Sequence, residues 1–422
     1  MNRIIIIGNG FDLAHGLPTR YEDFINWYWE QRIYGFNGNI TDVDEDPLCI
    51  LKIKKNDWYN ITCWNVVALQ RYNMFPNAMG TEIFNSMRNK NELFEVIPSE
   101  LLERITYCIE EKGWVDIENE YYNLLKNTII KDNNALISIK TLNNQLLYIQ
   151  YKLTEYLLSI QGANICINPR IRDLILQSIN ISDISISGLT AYYNHCDSIA
   201  AFGRQEWVSR MNEYGLTDIL LGMEFDNFKK NNTYTDAAGI VKIKDYSQIP
   251  LNYIRPHSTL LLSFNYTSVT DWYQVPSICF PIHIHGDLSN PANMIFGYGD
   301  ELDEGYNRIL RLNDNEYLQN IKSIKYLDAA NYRNVLGFIE SAPFQVYIMG
   351  HSCGNSDRTL LNTIFEHNNC VSIKPFYHIK KDNTDNYLDI VQNICRNFTD
   401  MKLMRDRVVN KTFCEPLPQV HR

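Results

Sequence analysis

Four consecutive isoleucines, Ile4 to Ile7, run straight into Gly8-Asn9-Gly10 at the start of this chain. No other stretch of its 422 residues constrains the fold as strongly. A short, uninterrupted β-branched run is the pattern of a strand buried on both faces, which is how parallel sheets are built. A G-x-G directly after such a strand combines a tight turn, close backbone approach and a helix N-terminus, each of which favours an anionic group. The same geometry serves an ordinary β–α turn, so the motif alone leaves both readings open. The third glycine of the dinucleotide fingerprint is not at its usual place, where Asp12-Leu13 stand; the next glycine is Gly16.

A helix is expected after this turn, starting near Asp12 or at Thr19 and running through Phe24, Ile25, Trp27 and Tyr28. Residues 34–91, which include the acidic run Asp42 to Asp46, are mixed in character and read as an insertion or lid, with a solvated loop as the alternative. From 92 to 161 the period becomes helical. Ile139, Leu142, Leu146, Ile149, Leu153, Tyr156, Leu157 and Ile160 step by threes and fours and form one apolar stripe for core packing or a partner helix. Short strands then recur at 260–264, 277–283, 294–296, 344–349 and 370–377. Strands at both ends of the chain, separated by helical material, predict an α/β fold: a Rossmann-like open parallel sheet with a large, mainly helical insertion. The boundaries drawn are 1–33 and 255–422 for the core that carries the sheet and 34–254 for the insertion.

Composition narrows the function. A net charge of −10 does not suit wrapping nucleic acid or coating an anionic membrane. No stretch approaches the ~18 apolar residues of a membrane span, and the isoleucine run is too short for a signal-peptide core, so the expected location is cytoplasmic. The ten cysteines contain no C-x-x-C pair, which leaves a zinc ribbon without support; reduced, buried thiols are expected.

Three later stretches carry chemistry. Asn265, at the end of the 260–264 strand, would point an amide into the crevice that lies beyond strand carboxyl ends in open α/β sheets, or else form an Asx turn. His283 and His285 alternate onto one strand face, a spacing that suits a metal pair. No third ligand is near, so no metal is expected, and His285 before Gly286 reads instead as a general base. Gly350-His351-Ser352-Cys353-Gly354 matches the G-x-S-x-G nucleophile elbow, with Asp357 or Glu366 as acid and His378 or His421 as base of a serine esterase. Glycines around a serine at a strand-to-helix turn serve a phosphate or ribose equally well.

Together these stretches resemble the AbiH-type bacteriophage abortive-infection family, a divergent branch of the sirtuin-like NAD-binding fold. The resemblance rests on Ile7-Gly8-Asn9-Gly10-Phe11-Asp12-Leu13-Ala14-His15-Gly16-Leu17-Pro18-Thr19, Phe264-Asn265-Tyr266, His285-Gly286 and Tyr347-Ile348-Met349-Gly350-His351-Ser352. Relative to sirtuins, Asp12 replaces a serine, Thr267 replaces an aspartate and Thr19-Arg20-Tyr21 replaces Asp-Phe-Arg. The resemblance implies an antiphage protein that hydrolyses NAD, with NAD as substrate and no further cofactor. His285, Asn265 and Asp12 would be catalytic; Gly8, Asn9, Gly10, Phe11, Gly16, Gly350, His351 and Ser352 would hold the nucleotide. A phage-derived trigger and a homo-oligomer are the implied partners. A nucleotide-binding sensor without turnover is the alternative.

Overall fold

The computed structural model describes residues 1–35, 43–53, 94–112, 115–130, 137–162, 166–196, 198, 226–235, 237, 241–244 and 254–419. The chain divides into two compact units. The first comprises Met1–Leu17, Asn164–Met294 and Lys325–Arg422; the second comprises Pro18–Ala163 and Ile295–Ile324.

The first unit is built on one all-parallel sheet of β1 (Asn2–Ile7), β2 (Thr259–Ser263), β3 (Cys279–His283), β4 (Phe344–Met349) and β5 (Cys370–Phe376). Its spatial order is β5-β4-β1-β2-β3, the Rossmann order, in which the connection reverses direction beside the central first strand. Every residue of β1, β2, β4 and β5 is buried, whereas β3, at the edge, is partly exposed. The isoleucine run is therefore the middle of the sheet. Register aligns the carboxyl ends: Ile7 pairs with Ser263 and Met349, Ser263 with His283, and Met349 with Phe376. On one sheet face Ile5, Ile7, Leu261 and Tyr347 pack with Phe11, Ile171, Ile175 and Tyr273. Where that face turns polar, the buried Arg3 guanidinium donates to the carbonyls of Ile175 and Gln177, to Gln345 Oε1 and to Tyr347 Oη.

A short helix α1 (Asn9–Ala14) follows β1 and stops at Gly16, whose φ of +84° is the left-handed turn that ends helices. A second helix, α2 (Tyr21–Gly35), then opens the other unit, so two helices, from Asn9 and from Tyr21, stand where one was expected from near Asp12 or from Thr19.

The second unit holds a three-stranded antiparallel sheet of Val43–Glu45, Cys49–Ile53 and Phe94–Pro98. It also contains helices α3 (Glu100–Lys112), α4 (Ile117–Ile130) and α5 (Ile139–Gln161). The apolar stripe expected on α5 is there: Leu142, Leu146, Ile149, Leu153, Tyr156 and Leu157 are buried, and the helix starts at Ser138, whose hydroxyl accepts the Thr141 N–H. Buried Lys322 and Glu118 pair at 2.8 Å, and Glu118 also accepts the Gly297 N–H, which ties the 295–324 segment to α4.

Two readings are corrected. The described part of the acidic run is not a solvated loop: Asp46 accepts hydrogen bonds from Tyr28 and Tyr148 and from the Leu48 and Cys49 amides, and pairs with Arg32 at 2.9 Å. Five donors around one carboxylate make it a hub of the unit. Residues 294–296 form no strand; Met294, Ile295 and Phe296 are buried without entering a ladder, because apolar burial alone does not supply a pairing partner.

Candidate functional site at the carboxyl edge of the parallel sheet

Because the strands are parallel and in register, the segments that follow β1, β2, β3 and β4 emerge on the same edge. Those segments carry Gly8 to Asp12, Phe264 to Thr267, His285 and Gly350 to Asp357. In Rossmann-order sheets, ligands bind in the crevice at this edge, where the strand order reverses.

The glycines shape the crossing of two loops. The Gly8 N–H donates to the Met349 carbonyl at 3.3 Å and the Gly10 N–H to the Gly350 carbonyl at 2.8 Å. A Cβ on Gly10 would stand 2.8 Å from the Gly350 Cα, and one on Gly350, at φ +76°, would stand 2.2 Å from the Phe11 nitrogen. These N–H groups are spent on the neighbouring loop, so the glycines set loop shape by close backbone approach. Asn9 is exposed beside them, while Phe11 is fully buried against His15 and Tyr273.

Asn265 reaches the same loop. Its Nδ2 donates to the Gly8 carbonyl at 3.0 Å, and its own carbonyl faces His283 Nδ1 at 3.2 Å. His283 Nε2 lies 2.8 Å from Asp271, so both ring nitrogens meet acceptors. Burial alone would lower its pKa, but the Asp271 hydrogen bond and charge hold it above the ordinary histidine value. His283 and His285 therefore do not share a partner. Among the described residues, no three His, Cys, Asp or Glu side chains group as metal ligands.

Asp12 is buried beneath this loop. The Thr267 hydroxyl donates to its Oδ2 at 2.6 Å, and its Oδ1 has no hydrogen-bond partner. Burial raises its pKa to about 7, against the opposing pull of Thr267, Asn265 and the His283 charge. It does not cap α1, whose N-cap is Gly8. Asp12 and Thr267 are thus in direct contact.

His285 is buried, and its Nε2 lies 3.2 Å from both Asp357 Oδ1 and the Tyr326 hydroxyl. The other oxygen of Asp357 faces His351 Nε2 at 3.6 Å. His351 Nδ1 accepts the Cys353 N–H at 3.0 Å, which places the proton of the neutral ring on Nε2, toward Asp357. Phe264 packs against both imidazoles, with ring centroids 5.2 Å from His285 and 4.2 Å from His351. One carboxylate thus bridges two histidines around an aromatic ring. Sequence reasoning weighed Asp357 only as an esterase acid. Its signal was its place in the turn after β4; the contact with His285, 72 positions earlier in the chain, has no local signature.

Ser352 is exposed, and its carbonyl accepts from Asn393. Neither acid weighed for it serves it: Asp357 holds the histidines, and Glu366 accepts the Thr399 and Asp400 amides. The positive φ of this turn falls on Gly350 and Cys353, not on Ser352. His421 lies outside the described residues.

The fold and site define an open parallel α/β protein whose polar side chains converge at the switch point. The family model of bacteriophage abortive infection AbiH matches residues 4–202 and 204–378, and the chain belongs to that family. No curated protein and no solved structure matches it. Among the described residues, no helix is long and apolar enough to cross a membrane.

Proposed function

We propose that this abortive-infection protein hydrolyses NAD to ADP-ribose and nicotinamide in the crevice at the carboxyl edge of its parallel sheet, as a member of the sirtuin-like branch of NAD-binding folds. The observation that carries the reading is the His285–Asp357 contact in that crevice, 3.2 Å between Nε2 and Oδ1. With the Nε2 proton directed at the carboxylate, the imidazole lone pair lies on Nδ1, the arrangement of a general base oriented by an acid.

The reaction replaces the C–N glycosidic bond with a C–O bond. Water attacks C1′ of the ribose, the bonding pair leaves with the nicotinamide nitrogen, and the water proton passes to His285. The transition state resembles an oxocarbenium ion, so geometry and charge placement dominate the catalytic task. Asn265, fixed to the Gly8 carbonyl, orients the ribose or the attacking water. The exposed Ser352 hydroxyl and Asn9 stand at the rim, on the loops that would face the pyrophosphate.

His285→Ala is expected to fold and to lose NAD consumption by ~10² to 10⁴, the usual worth of a positioned base. The test measures NAD, ADP-ribose and nicotinamide in cells carrying wild type or His285→Ala, before and after phage infection. Unchanged NAD in infected wild-type cells overturns the reading. Tight NAD binding by purified wild type without product supports the sensor instead.

A further inference from the structure

Asp357 opens helix α6 (Arg358–Phe365) as its N-cap residue, the position where an aspartate ordinarily turns its carboxylate back to accept an N–H of the first turn. No such side-chain cap bond forms here. The carboxylate points instead at two imidazoles, with Oδ1 3.2 Å from His285 Nε2 and Oδ2 3.6 Å from His351 Nε2. A local set of donors has been given up for distant ones, so a group outside α6 must hold the side chain away from its own helix. His351 is placed to do this. Its buried ring packs 4.2 Å from Phe264 between centroids, and a Cβ on Gly8 would stand 2.8 Å from its Cδ2. Its Nδ1 accepts the Cys353 N–H at 3.0 Å, which directs Nε2–H at Asp357. That contact is long for a hydrogen bond, of the kind that tightens when a reacting complex forms.

We infer that His351 is a positioning residue rather than a nucleotide contact: its Nε2–H holds the Asp357 carboxylate off the N-terminus of α6 and against His285. The inference rests on the NAD-hydrolysis reading for its kinetic consequence alone. A second group shows what the carboxylate prevents. The Tyr326 hydroxyl lies 3.2 Å from the same His285 Nε2. While Asp357 is in place, the ring proton stays on Nε2, because a charged acceptor outcompetes a neutral hydroxyl for it. Once the carboxylate turns back to cap α6, the Tyr326 hydroxyl donates to Nε2 and the ring proton moves to Nδ1. The lone pair that takes the water proton is then lost. His351 thus acts on the base through Asp357, without touching the substrate.

Two variants that differ by one methylene separate the roles. His351→Asn keeps an acceptor for the Cys353 N–H and loses the donor toward Asp357, whereas His351→Gln keeps an N–H at the reach of Nε2. Nuclear magnetic resonance of the full chain with isotope-labelled histidine reads which nitrogen of the His285 ring is protonated, the signals being assigned with His285→Gln. Wild type and His351→Gln are expected to carry the proton on Nε2, and His351→Asn on Nδ1. In NAD turnover, His351→Asn is expected to lose at least ~tenfold in kcat with KM near wild type, and His351→Gln to recover most of it. A proton that stays on Nε2 in His351→Asn, a His351→Gln that behaves like His351→Asn, or a loss confined to KM each overturns the inference. A wild type that leaves NAD intact overturns the reading of the reaction, and the comparison of ring protons then decides the role of His351 by itself.

Discussion

Asp12 is the residue where burial and ionisation conflict most openly. Its carboxyl is fully enclosed, has one hydroxyl donor and keeps a proton up to about pH 7, against an ordinary value of 3.8. Between those two values the folded chain holds a proton that the unfolded chain has released. The contribution to stability is therefore complete below pH 3.8 and declines as pH rises toward about 7. At 1.36 kcal/mol per unit the loss is on the order of 4 kcal/mol. Asp12→Asn keeps an acceptor for Thr267 and removes the titration. Urea denaturation from pH 4 to pH 8 is expected to show a falling stability for wild type and a flatter, higher profile for the variant. A parallel decline in both proteins would assign the pH dependence to other groups.

At the scale of elements, the site depends on two loops that cross at backbone contact. Neither Gly10 nor Gly350 has room for a methyl group, and Gly350 also adopts φ +76°. Gly350→Ala is expected to cost more than the ~1–3 kcal/mol of backbone strain alone, because the displaced atom is the backbone nitrogen of Phe11. Thermal unfolding of this variant beside Gly337→Ala reads the difference, since a Cβ on Gly337 meets nothing within 4 Å. Equal melting temperatures would show that the crossing relaxes freely. The elements themselves were largely legible in sequence. All five strands of the main sheet are short apolar runs, and α5 declares itself by period. What sequence reading did not reach depends on distance in the chain. Asp357 meets His285 only through the sheet order, and Asp46 becomes a hub only because Tyr28, Arg32 and Tyr148 converge on it from two helices. Asn265 and His285 are read as candidate site residues from their place at the ends of parallel strands, and the fold brings both to that edge; there Phe11 is buried, and Gly8, Gly10 and Gly350 make close backbone approaches.

At the scale of the whole molecule, the main sheet is assembled from strands far apart in the chain. β1 pairs with β2, some 250 positions later, and with β4, some 340 positions later. A chain ending at residue 343 lacks β4 and β5 and leaves β1 as a bare edge of four isoleucines. Such an edge invites pairing with other chains. Expression of residues 1–343 is expected to give insoluble protein, measured as the soluble fraction against full length. A soluble, monomeric 1–343 product would show that the sheet does not need its second half.

The central position of β1 also has a meaning in time. Ribosomes add roughly 5–20 residues per second, so the isoleucine strand emerges on the order of tens of seconds before Leu260 and Val346 exist to flank it. Asp357 is made later still. A half-made chain therefore contains no His285–Asp357 pair, and that contact exists only in copies whose synthesis has passed β4 and the turn after it.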